Sequence, residues 1–168
     1  MTVERAALAL GSNLGDRLAL IREATVRIAA EPGVTVVGVS SVFETAPVGG
    51  PEQPEYLNAV VVVDTTLTAV QLLALAHRLE DRAGRRRTTR WGARTLDVDV
   101  LAVGAQQIDQ PHLVVPHPRA HERAFVLAPW AEVDPGFVVP GHGQVADLLA
   151  AVDAGGVVRW PERVAGPT

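Results

Sequence analysis

Apolar runs at strand spacing and apolar stripes at helical spacing alternate along this chain. Residues 6–10 (Ala-Ala-Leu-Ala-Leu) read as a buried strand. Gly11 to Asp16 reads as a turn, with Asp16 placed to cap a helix that runs to about Ala30. Leu18, Ile21, Thr25 and Ile28, spaced 3, 4 and 3, give that helix one core-facing stripe, and Pro32-Gly33 ends it. The Val-rich residues 34–43 predict a second strand. Glu44 to Glu55 holds three prolines and two glycines and predicts a loop longer than most connections, which favours a functional one.

Tyr56 to Thr65, with the β-branched run Val60–Val63, predicts a third strand. Thr68 and Gln71 form a capping-box pair for a second helix reaching about Arg82, which Gly84 is placed to stop. An arginine-rich loop follows, then a fourth strand from Leu96 to Val103. Pro-punctuated sequence holds a short helical stretch near Arg119–Trp130 and a last helix near Val145–Val152. The order β-α-β-β-α-β with two amphipathic helices predicts an α+β fold, a ferredoxin-like sandwich on an antiparallel sheet with a short C-terminal extension. One domain is expected over residues 1–160, with a frayed tail at 161–168.

Composition narrows the function classes. With 48% hydrophobic and 20% charged residues over 168 positions, the chain is globular and large enough for a sizeable core. It has no stretch of ~20 apolar residues and no signal-peptide pattern at its start, so no membrane partner and a cytoplasmic location are expected. Cysteine is absent, which excludes disulfides and thiolate zinc sites. The net charge of −4 argues against general attraction to nucleic acid. Every basic residue is Arg, so Schiff-base lysine chemistry and a P-loop lysine are excluded.

The chemistry concentrates in residues 85–99. Arg85, Arg86, Arg87, Arg90 and Arg94 lead into Asp97 and Asp99, which alternate along a strand and so share a face. Their Cα atoms lie roughly 6.5–7 Å apart, a span that one or two hard cations can bridge. Carboxylates for Mg²⁺ beside guanidinium groups for phosphate oxygens is the apparatus of phosphoryl transfer. Taken separately, an arginine loop reads as solvated surface and alternating Asp as the wet face of a strand; adjacency is what favours the chemical reading.

Motifs spread along the chain then add up to a resemblance. They are Gly11-Ser12-Asn13-Leu14-Gly15-Asp16-Arg17, Glu44-Thr45 with Pro47, Gln53 through Tyr56-Leu57-Asn58, Glu80 with Gly84-Arg85, Arg90-Trp91-Gly92 with Arg94, Thr95 to Asp99, and Pro116-His117-Pro118 with Arg123-Ala124-Phe125. In this order and spacing the chain resembles the 6-hydroxymethyl-7,8-dihydropterin pyrophosphokinases of folate biosynthesis over about residues 5–152. Two positions depart from the family pattern: Ala46 and Ala93 stand where proline is frequent, which relaxes φ in both loops.

The resemblance implies an ATP-dependent diphosphotransferase that moves pyrophosphate from ATP to the pterin hydroxymethyl group and releases AMP. Asp97 and Asp99 would hold two Mg²⁺ ions, with Arg85 and Arg94 completing the catalytic set. Arg85, Arg87, Trp91, Arg94, His117 and Arg123 would surround ATP, with Val100, His112, Leu113 and Val114 around adenosine. Tyr56 and Phe125 would stack on the pterin, Asn58 would read its polar edge, and Thr45, Pro47, Val48 and Trp91 would complete the pocket. On local context alone, Tyr56 and Phe125 read equally well as core, His117 as a loop residue and Asn58 as part of a turn. The role of Glu80 stays open. The expected partners are small molecules only, and the expected state is a monomer. Loops 44–55 and 84–93 are expected to close over the bound pair. Two alternatives stand beside this reading. One is a ferredoxin-like RNA-binding module, disfavoured by the acidic chain and by Asp on the fourth strand. The other is a metal-dependent phosphoester hydrolase, which leaves the Tyr56-x-Asn58 element unexplained.

Overall fold

The computed structural model of the chain describes residues 2–45, 55–84 and 95–163. The elements follow in the order β1 (Glu4–Ser12), α1 (Arg17–Ala30), β2 (Val34–Val39), β3 (Ser41–Thr45), β4 (Tyr56–Thr65), α2 (Ala69–Arg82) and β5 (Asp97–Val103). The C-terminal part adds hairpin strands β6 (Ile108–Gln110) and β7 (Leu113–Val115), then α3 (Ala124–Val133), strands β8 (Val138–Val139) and β9 (Gly143–Gln144), α4 (Val145–Ala150) and β10 (Val158–Arg163).

Local sequence explains both long helices. The Asp16 carboxylate accepts the Ala19 N–H at the start of α1. Thr68 and Gln71 exchange both bonds of a capping box at the start of α2. Gly84, at φ +72°, supplies the left-handed residue just past its end.

The main sheet is antiparallel, in the order β10-β3-β4-β1-β5, with β2 also on β4. β1 therefore lies between β4 and β5, the arrangement expected of a split βαβ fold. Alternation along the central strands divides the core in two. Leu8, Leu10, Leu57, Val61, Val98 and Val100 face α1 and α2. Ala7, Val60, Val62 and Leu101 face α3 with Val126, Leu127 and Trp130. The near-continuous apolar run of β4 reflects burial on both faces. α3 thus forms a third layer on the face that a simple two-layer sandwich leaves open.

Three details differ from the pattern read along the chain. The second strand breaks at Ser40 into β2 and β3. There the Ser40 hydroxyl accepts the Val60 N–H and donates to the Ser41 carbonyl, while the Ser41 N–H turns to Glu132 on α3. A side chain and a helix carboxylate take over ladder bonds, so the chain changes direction along β4. Next, Gly11 and Ser12 belong to β1, not to a turn, because they pair with Asn58 and Leu57. Lastly, β10 pairs with β3 and runs to Arg163, past the boundary expected at residue 160. Arg159 of β10 binds Glu132 at 2.7 Å and lies over the Phe43 ring, which ties this strand to both α3 and β3.

Candidate active site

The sheet register assembles a site from strands that are remote in sequence. Gly11 pairs with Asn58 on one side and Asp97 on the other, so Asn58, Gly11 and Asp97 form one row. Ala9 pairs with Val60 and with Asp99, which sets Asp99 in the next row. At about 4.8 Å per strand, Asn58 and Asp97 stand roughly 10 Å apart across a floor of small residues. α3 covers the same face beyond this point through Val60 and Val62 but leaves Asp99 exposed. The outcome is a trough with an amide on one side and two carboxylates on the other.

Gly11 is the residue that sequence reasoning missed. A Cβ at this position would lie 3.4 Å from Asn58 Oδ1 and 3.7 Å from Tyr56 Cδ1. Its backbone is ordinary strand, so φ does not call for glycine, and a Cβ would stand in van der Waals contact with both side chains, raising the floor between them. A glycine interrupting the apolar alternation of β1 was the available signal.

Thr45, Tyr56 and Asn58 meet at the same end of the sheet. Thr45 pairs with Tyr56, and the buried Asn58 amide donates to Thr45 Oγ1 at 2.8 Å. That bond orients the amide with its oxygen toward the Gly11 floor. Nearby, Arg17 binds Glu44 at 3.1 Å and donates to the Glu55 carbonyl at 2.6 Å. These residues, with Asn13, Leu14 and Gly15, line a cavity of about 420 Å³; among the described residues, none of the expected ligand-binding ones lines it. The hydrogen bond and charge of Glu44 raise the pKa of the Glu55 carboxyl above its ordinary value.

The other wall is electrostatic. The His117 N–H donates to the Leu101 carbonyl at 2.8 Å, which fixes His117 beside β5. Burial lowers the pKa of its imidazole; Asp99 opposes this, and Arg123 and Arg119 reinforce it. The Arg123 pKa is also lowered, chiefly by burial and then by Arg119, while Asp99 and Glu122 act to raise it. The Arg123 guanidinium lies 5.5 Å from the centre of the Phe125 ring, at the start of α3. Asp99, His117, Arg123 and Phe125 therefore form one neighbourhood.

The expected adenosine residues divide. Val100 and Leu113 are buried in the core beneath α1 and α2, on the face opposite Asp97 and Asp99. His112 and Val114 are exposed on the β6–β7 hairpin. Pro47, Val48, Arg85, Arg87, Trp91 and Arg94, with both expected loop closures, lie outside the described residues.

A sequence profile described as 7,8-dihydro-6-hydroxymethylpterin-pyrophosphokinase matches residues 7–135. The chain belongs to this family. It is 44% identical over 155 residues to the 2-amino-4-hydroxy-6-hydroxymethyldihydropteridine pyrophosphokinase of Methylorubrum extorquens, covering 92% of this chain and 98% of that one. The Bacillus subtilis protein of the same name is 46% identical over 126 residues, 75% of each chain. Among solved structures, Plasmodium falciparum HPPK-DHPS with pteroate aligns at a TM-score of 0.69 and 14% identity, which speaks to the fold alone. The alignment covers 89% of this chain but only 42% of that one. Every candidate site residue falls inside the family match, and so does Gly11. α4 and β10 lie beyond it.

Proposed function

We propose that this chain transfers pyrophosphate from ATP to the hydroxymethyl oxygen of 6-hydroxymethyl-7,8-dihydropterin, releasing AMP, in folate biosynthesis. The observation that carries the reading is the row Asn58–Gly11–Asp97, which sets an amide and a carboxylate either side of a flat floor. A planar heterocycle lying over Gly11 meets hydrogen-bonding groups from Asn58 at one edge. Its other end points toward the carboxylates. Tyr56 and Phe125 supply aromatic faces, and Thr45 holds the Asn58 amide in orientation. By family resemblance Pro47, Val48 and Trp91, outside the described residues, would complete this pocket.

The donor set suits Mg²⁺. Two carboxylates on one strand face are hard oxygen ligands, and Mg²⁺ is commonly held by one or two carboxylates, with water and phosphate oxygens completing its shell. Asp97 and Asp99 would hold two ions, and when bound these neutralise charge on the phosphates. Arg123 and His117, with Arg85, Arg87 and Arg94, bind phosphate oxygens. Burial beside Arg119 disfavours the Arg123 charge, so an anion arriving here relieves a standing electrostatic cost. His112 and Val114 take the adenosine end beside β5, where the buried Val100 and Leu113 contribute through backbone groups.

In the reaction the pterin hydroxyl oxygen bonds to the β-phosphorus of ATP. The bond between that phosphorus and the α,β-bridging oxygen breaks, AMP leaves with the bridging oxygen, and the hydroxyl proton passes to solvent. Positioning carries most of the acceleration in such transfers. We further propose a monomer in the cytoplasm; among the described residues no helix is long and apolar enough to cross a membrane.

Incubation with MgATP and the hydroxymethyl pterin is expected to yield AMP and the pterin pyrophosphate in equal amounts, and chelation of Mg²⁺ to stop both. ADP or free phosphate as the nucleotide-derived product would indicate a different transferase or a hydrolase. Gly11→Val is expected to weaken pterin binding at least about 10-fold, roughly 1.4 kcal/mol, because its methyl groups occupy the floor of the trough. Calorimetry with the pterin alone checks this, and unchanged affinity would place the ring elsewhere.

A further inference from the structure

β5 carries both aspartates, yet within the described sheet it pairs with β1 alone. An edge strand leaves outward N–H and C=O groups without a ladder partner. Two of these groups on β5 have specific substitutes. The Leu101 carbonyl accepts the His117 N–H at 2.8 Å. The Val98 N–H donates to Glu80 Oε2 at 3.0 Å.

The second bond is unusual in where its acceptor comes from. Glu80 lies on the packed side of α2, next to Leu79 and in line with Leu72, Leu75 and Ala76, and is only 7% exposed. A carboxylate there is costly to desolvate unless it is hydrogen-bonded. One of its contacts is the amide of the residue that separates Asp97 from Asp99. Holding the Val98 N–H orients the peptide plane shared with Asp97 and sets the backbone from which Asp99 departs. Charged acceptors make the stronger bonds of this kind.

We infer that Glu80 is a positioning residue for the cation-holding pair: through the Val98 amide it fixes the relative direction of the Asp97 and Asp99 carboxylates. The inference rests on the proposed cation role of those two aspartates. It predicts that losing the acceptor loosens metal binding before it affects the pterin end of the trough, where Thr45, Tyr56, Asn58 and Gly11 stand on β3, β4 and β1.

The test uses the full chain with Glu80→Ala and Glu80→Gln. Binding of Mn²⁺ is read by electron paramagnetic resonance in the presence of an ATP analogue whose α,β-bridging oxygen is replaced by methylene. Pterin affinity and the Mg²⁺ concentration for half-maximal turnover are measured in parallel. Glu80→Ala is expected to weaken Mn²⁺ binding and raise the Mg²⁺ requirement at least about 10-fold, with pterin affinity within about twofold of the parent. Glu80→Gln keeps an acceptor oxygen and is expected to stay within about threefold. Mn²⁺ binding by Glu80→Ala within twofold of the parent overturns the inference, and so does equal damage in both variants. If the parent chain binds no Mn²⁺ with the analogue, the cation reading falls and Glu80 with it; normal parent binding that is indifferent to Glu80 removes this inference alone. Should Glu80→Ala fail to fold, Val98 amide exchange in the parent decides: protection like that of the β1 ladder amides is expected, and rapid exchange overturns the proposal.

Discussion

Asp97→Ala and Asp99→Ala are each expected to lower kcat at least about 100-fold at saturating Mg²⁺, some 2.7 kcal/mol of lost transition-state stabilisation. The fold should survive both changes. Asp99 is exposed and Asp97 half-buried, and neither belongs to the apolar core of β5. Removing Asp99 also takes from Arg123 and His117 a carboxylate that favours the charged form of both. Its loss therefore alters the charge around the phosphates as well as the cation site. Steady-state rates over a Mg²⁺ titration, with thermal unfolding as the control for folding, decide the matter. Near-normal turnover by either variant at high Mg²⁺ would mean that its carboxylate holds no catalytic metal.

Phe125→Ala and Tyr56→Ala are expected to weaken pterin binding by roughly 1–3 kcal/mol, by analogy with bases stacked on aromatic side chains. Affinity for the methylene ATP analogue should change much less. Phe125 also packs against the core under α3, so truncation removes some packing as well as a stacking face. Phe125→Leu separates the two, since it keeps apolar volume without a flat ring. Calorimetry should find Phe125→Leu close to Phe125→Ala in pterin affinity and close to the parent in melting temperature. Equal losses for both ligands, tracking stability, would assign Phe125 to the core alone.

Much of the fold was legible along the chain because its signals are local. The Asp16 cap, the Thr68–Gln71 box and the Gly84 stop act within one helical turn, and all three appear where the sequence places them. Strand alternation was enough to put Asp97 and Asp99 on one face. The break at Ser40 was not legible, because it depends on Glu132, remote in sequence on α3. β10 was missed for a similar reason: its partner is β3, and its own sequence has little alternation.

Residue chemistry and local periodicity thus determined, unaided, the βαββαβ order, the paired carboxylates and the nearby arginines. Only the tertiary structure decided which of these groups meet. Asn58 faces Asp97 because β1 pairs with both β4 and β5, and Gly11 becomes a floor because two neighbouring strands raise walls around it. Glu80 gains its contact with Val98 because β5 is an edge of the described sheet and α2 lies against it. Register and edge position come from long-range hydrophobic packing that chooses one strand pairing among many. No window of a few residues contains that choice.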